Sequence, residues 1–129
     1  MNYLLDTSSF LWFVNGDRRL SLNAAGIIES SDDDIYLSLV SIWEIAIKVK
    51  LRRGLELRRP FPEFIDDHLS ANRFELLEIS VAHIKQVHDL PLIHRDPFDR
   101  LPIAQSLVEN IPIITSDAAF DRYPIARIW

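Results

Sequence analysis

Four short stretches place a carboxylate where chemistry could use one. LLD puts Asp6 at the end of the run of residues 2–6, and IITSD puts Asp117 just past the run of residues 111–115. SIWEIAIK holds Glu44 between Trp43 and Ile45, and HRDPFDR holds Asp96 and Asp99 three positions apart. Each acid also has a structural alternative. Aspartate after a strand commonly caps the next helix, and a glutamate early in a helix favours its dipole. Asp96 precedes Pro97, and aspartate followed by proline is a helix start, so capping is job enough for Asp96. Asp99 then falls in the first turn, on the stripe with Ile103 and Ser106, with its side chain directed back toward the helix start.

Acids from four segments, with no cysteine and only four histidines, describe a site for a hard cation. Oxygen donors suit Mg²⁺ or Mn²⁺ and not zinc or copper. Carboxylates around one or two such ions are a standard device for cleaving a phosphodiester with activated water. His68, His83, His88 and His94 have no shared ligating spacing, beyond His83 and His88 at five apart. His94, Arg95 and Arg100 lie beside the acids, where each could meet a phosphate or simply face solvent. Lys48, one turn after Glu44, could neutralise that acid or hold substrate.

For these acids to meet, the elements must carry them to one edge. Residues 2–6, 35–40, 74–79 and 111–115 read as strands, with 126–129 as a last edge strand. Between them fall helical patterns: Ser8 or Ser9 to Asn15, 21–30 with Ser21 as cap, and a helix capped by Ser38 or Ser41 and ended at Gly54. Three more follow: 62–72 opened by Pro60 and Pro62, the short SVAHIKQVHDL, and the segment after Asp96-Pro97. Trp12, Phe13 and Trp43 read as core. Strands alternating with helices predict a mainly parallel sheet with helices on both faces, and ligands then bind beyond the carboxyl ends of the strands.

The 129 residues make one domain, 1–129. Composition is that of a globular protein, with 48% hydrophobic and 26% charged residues. The net charge of −5 argues against a basic coat for nucleic acid, although Lys48, Lys50, Arg52, Arg53, Arg58 and Arg59 make one basic segment. MNYLLDTSSFLWF lacks the basic start of a signal peptide, and no apolar run reaches the roughly 18 residues of a membrane span. Together with the absent cysteines this predicts a cytoplasmic, membrane-free protein.

LLDTSSFLWF, SIWEIAIKVKLRRG, HRDPFDRLPIAQ and ITSDAAFDRYPIARIW together resemble the PIN domain, specifically the VapC-like toxins of type II toxin–antitoxin pairs, in order along nearly the whole chain. The resemblance implies a PIN-like three-layer α/β/α sandwich, Mg²⁺- or Mn²⁺-dependent ribonuclease activity, inhibition by a cognate VapB-like antitoxin, and a homodimer. It places the family's acidic quartet on Asp6, Glu44, Asp99 and Asp117, with Thr7 and Thr115 as supporting hydroxyls. Apolar and basic residues of 41–53 and 55–72 would form a groove for the antitoxin. Two departures stand out. Ser8 occupies a position where close relatives often have histidine, and Pro102 interrupts what is usually continuous helix, with the power to kink it and displace Asp99. Two other readings compete: a catalytically weak domain that binds metal or a partner, and a haloacid-dehalogenase-type phosphatase. The phosphatase wants a second aspartate two residues after the first, where this chain has Ser8.

Overall fold

Residues 1–129 are described by a computed structural model. Five strands, β1 (Asn2–Leu5), β2 (Asp34–Ser38), β3 (Glu75–Leu77), β4 (Ile113–Ile114) and β5 (Arg127–Ile128), form one sheet in the order β3-β2-β1-β4-β5. Every pairing is parallel. Six helices connect them: α1 (Thr7–Val14), α2 (Leu22–Glu29), α3 (Leu39–Lys50), α4 (Phe61–Asn72), α5 (Val81–Asp89) and α6 (Pro97–Glu109). A short 3-10 helix (Ala118–Arg122), which no sequence pattern announced, precedes β5.

Strand alternation divides the core in two. Tyr3 and Leu5 of β1, Ile35 and Leu37 of β2, and Ile114 of β4 pack on one face with Phe10, Ala24, Ile28, Ile45, Phe64 and Ile65 of α1 to α4. Leu4 and Ile113 point to the other face and meet Ile103 and Ala104 of α6, Leu90, Phe120 and Tyr123. The expected three-layer α/β/α sandwich is the result. Leu4, Leu5 and Leu37 are wholly buried, each worth about 1.5–3 kcal/mol relative to exposure.

Several boundaries differ from the sequence reading, for local reasons. Ser38 rather than Ser41 caps α3, its Oγ accepting from the Val40 amide at 3.1 Å, so β2 ends at Ser38 and not at residue 40. The helix stops at Lys50, short of Gly54, because Arg52 already turns to positive φ. Residues 111–115 supply only two ladder residues: Pro112 has no amide, and its carbonyl accepts from Leu4 instead. Trp43 is 56% exposed and packs edge-on against Phe98, 5.2 Å between ring centres, rather than entering the core. α6 starts at Pro97 and continues through Pro102 to Glu109, with Pro102 buried at its sixth position. No helix is long and apolar enough to cross a membrane.

β1 sits centrally, with β2 and β3 leading away on one side and β4 and β5 on the other. The boundary between β1 and β4 is therefore the topological switch point, where an open parallel sheet leaves a crevice beyond its strand ends. α3 leaves β2 at that edge, and α6 begins there, since its far end leads into β4.

Candidate functional site

Asp6 and Asp117 follow the two strands that flank the switch point. Leu5 pairs with Ile114, and the Asp6 amide donates to the Ile114 carbonyl at 3.2 Å, so Asp6 leaves the sheet beside Thr115. Asp6 caps α1, accepting from the Ser9 amide on Oδ1 at 2.8 Å. Its other oxygen, Oδ2, accepts from the Thr115 hydroxyl at 2.6 Å. That hydroxyl also accepts from the Asp117 amide at 3.1 Å. One buried threonine thus ties the two acids together. Asp117 caps the 3-10 helix through Oδ1, which accepts from the Ala119 amide at 3.0 Å. Capping and site geometry are not alternatives for these two residues, because each carboxylate has a second oxygen.

Glu44 is buried, with 6% exposure, in the second turn of α3 and not the first. A helix-dipole role therefore falls away. Lys48 donates to Glu44 Oε2 at 2.6 Å, the neutralising contact anticipated from their spacing. Thr7, the first residue of α1, donates to the Ser41 hydroxyl at 2.9 Å and so ties α1 to the helix that carries Glu44. Ser9 anchors the same region by donating to the Ile114 carbonyl at 3.1 Å.

The two aspartates of HRDPFDR separate as their positions require. Asp96 is exposed and caps α6, accepting from the Phe98 amide at 2.8 Å. Asp99 is half-buried in the first turn, and its carboxyl is pushed up to about 6. Burial is the largest cause. The negative charges of Asp96, Glu44 and Asp117 add to it, and His94 opposes it. Burial also raises the Asp6 carboxyl, against its hydrogen bonds from Ser9 and Thr115, with Glu44 adding to the rise. Glu44 thus acts electrostatically on both Asp6 and Asp99, and Asp117 acts on Asp99.

Arg100 turns out to face main chain. Its guanidinium donates to the carbonyls of Val87, Leu90, Pro91 and His94 at 2.8–3.2 Å. It closes the end of α5 and pins the segment that leads into α6. His94 is neither a solvated ring nor free for a phosphate: Nε2 lies 3.0 Å from Asp117 Oδ2, and Nδ1 lies 3.0 Å from the Tyr123 hydroxyl. His83 is buried in a capping box with Ser80 and reaches Glu109 at 2.8 Å, away from the acids. Arg95 is exposed.

The donor set fits a hard cation in chemistry: oxygen ligands only, with two carboxyls that burial and like charge disfavour as anions. No three of the acidic or histidine side chains converge on one point at ligating distance.

The fold is an open, parallel α/β/α sandwich whose switch point is flanked by the linked residues Asp6 and Asp117. Residues 3–126 match the model of the PIN domain family, and the chain belongs to that family. Among solved structures the fold is similar to VapBC2 from Rickettsia felis bound to a DNA fragment from their promoter, at 18% identity over 99% of this chain and 98% of that chain, with a TM-score of 0.75. It is also similar to VapBC-1 from nontypeable Haemophilus influenzae, at 16% identity over 99% and 97%, TM-score 0.66. FitAcB from Neisseria gonorrhoeae is similar at 17% identity over 98% and 96%, TM-score 0.62. No curated protein sequence matches the chain.

Proposed function

We propose that this chain is a metal-dependent endoribonuclease of the VapC-like toxin type, cutting RNA phosphodiesters and neutralised by a cognate VapB-like antitoxin. The observation that carries the reading is the Asp6–Thr115–Asp117 link across the switch point, with Glu44 and Asp99 coupled to it. Asp6, Asp99, Asp117 and Glu44 would hold Mg²⁺ or Mn²⁺. When bound, the ion would supply activation of water and neutralisation of the phosphodiester. The chain's own residues do the rest. Ser9 and Thr115 fix the orientation of Asp6, Lys48 holds the Glu44 carboxylate in place, and burial around Asp6 and Asp99 lowers the local dielectric. The resemblance carries RNA as substrate and a homodimer as the assembly. Support for an antitoxin comes from the similar structures, which are described as VapBC or FitAcB assemblies.

A second reading, a partner-binding domain of weak activity, is favoured by two observations: Glu44 is already paired with Lys48, and the donors do not converge. Labelled RNA incubated with the partner-free protein in Mg²⁺, Mn²⁺ or EDTA separates the two. The nuclease reading expects cleavage in either metal and none in EDTA or with Asp6→Ala. Cleavage that persists in EDTA or in Asp6→Ala refutes it, and no cleavage in any condition favours the weak domain.

A further inference from the structure

His94 and Tyr123 are 29 residues apart, yet they make a closed set of contacts behind Asp117. The His94 amide donates to the Tyr123 hydroxyl oxygen at 2.9 Å. The same hydroxyl lies 3.0 Å from His94 Nδ1, and His94 Nε2 lies 3.0 Å from Asp117 Oδ2. In a neutral ring the assignment is forced by counting protons. The Asp117 carboxylate can only accept, so Nε2 carries the ring proton and donates it, and bare Nδ1 accepts the one proton of the Tyr123 hydroxyl, whose oxygen accepts from the His94 amide. In a protonated ring both nitrogens donate, and Asp117 still receives Nε2–H. The donation therefore does not depend on ring charge.

The ring itself is held in place. It stacks on Tyr123 with centres 5.5 Å apart and meets Phe120 edge-on at 5.0 Å. Arg100 donates to the carbonyls of Pro91 and His94, which fixes the backbone that carries the ring. Asp117, by contrast, has a side chain 45% exposed. Only the Ala119 amide, on Oδ1, and His94, on Oδ2, determine its orientation.

We infer that His94 is a positioning residue for Asp117, that its Nε2–H fixes the direction in which Asp117 presents its carboxylate to the cation, and that Tyr123 sets the histidine's tautomer. A histidine nitrogen behind a metal-facing carboxylate belongs to the outer contacts that orient ligands, whose loss typically costs about 10–100-fold in metal affinity. The inference rests on the proposed cation site, and its test has to separate the two.

The test has two measurements. Calorimetric Mn²⁺ titration compares wild type with His94→Ala, His94→Gln, His94→Asn and Tyr123→Phe, with thermal unfolding as the control for folding. Glutamine can place an N–H where Nε2 stands, whereas asparagine places one near Nδ1. The expected order is a loss of about 10–100-fold in affinity for His94→Ala and His94→Asn, and substantial recovery in His94→Gln. Tyr123→Phe, which keeps the ring stack and deletes only the hydroxyl, is expected to weaken binding too. Ring ¹⁵N NMR on the metal-free protein should find the proton on Nε2. Equal Mn²⁺ affinity in wild type, His94→Ala and Tyr123→Phe, or no advantage of Gln over Asn, overturns the inference alone. A bare Nε2 does the same. A wild type that takes up no Mn²⁺ overturns the proposed function, and this inference with it.

Discussion

Replacing Asp99 with asparagine should stabilise the metal-free protein at neutral pH while removing the proposed RNA cleavage. The carboxyl titrates near its ordinary 3.8 in the unfolded chain and near 6 in the native one. Between those values the native state keeps a proton that the unfolded state has released, so stability falls as pH rises through the window. Above about pH 6 the full cost is present, and below about pH 4 it vanishes because both states are neutral. A rise of that size corresponds to an upper bound of about 3 kcal/mol. Asp99 is only half-buried, and solvent screening reduces this to about 1–2 kcal/mol. An asparagine side chain cannot ionise, so Asp99→Asn should match wild type near pH 4 and exceed it at pH 7.5, by roughly 3–10 °C in Tm for a domain of this size. The assay is urea and thermal unfolding in EDTA across that range. Adding Mg²⁺ should then raise wild type and leave the variant little changed, since only a ligand that favours the native state stabilises it. A difference between the two proteins that does not vary with pH would refute the assigned burial and charge coupling of Asp99.

Three further perturbations follow from the same geometry. Asp96→Asn should be tolerated in stability and cleavage because asparagine also caps, whereas Asp96→Ala should cost about 1 kcal/mol by urea unfolding. Arg100→Ala should cost about 3–4 kcal/mol by leaving carbonyls at the end of α5 unpaired, with Arg100→Lys restoring only part, as chemical denaturation would register. Thr115→Val removes the donor to Asp6 and the acceptor for the Asp117 amide. It should cost about 1–2 kcal/mol and sharply reduce cleavage of labelled RNA.

The parts of this molecule legible in its sequence are those set by local physics. Tyr3, Leu4 and Leu5 announce a buried strand, and Asp96-Pro97 announces a helix start, because the residues concerned act on their immediate neighbours. The parallel sheet and the meeting of Asp6 with Asp117 at its edge followed from the alternation of elements. Asp6 and Asp117 were harder to judge, since each caps the next helix with one oxygen and meets a distant side chain with the other, a contact no local pattern announces. Glu44 looked like a first-turn acid only because the cap was undecided between Ser38 and Ser41. His94, Tyr123 and Arg100 were illegible in their partners. A histidine 29 residues from its tyrosine carries no local signal, and a guanidinium that binds carbonyls looks in sequence like one that binds phosphate. Pro102 threatened a break that packing prevents, since it is buried in a helix whose neighbours Ile103 and Ala104 are fixed against Leu4 and Ile113.

Anomalous diffraction from crystals soaked in Mn²⁺ tests the central claim most directly. A peak is expected in the crevice between the carboxylates of Asp6, Asp99 and Asp117, absent from crystals of Asp6→Ala. A crevice without Mn²⁺ under saturating conditions, or a peak unaffected by Asp6→Ala, would contradict it.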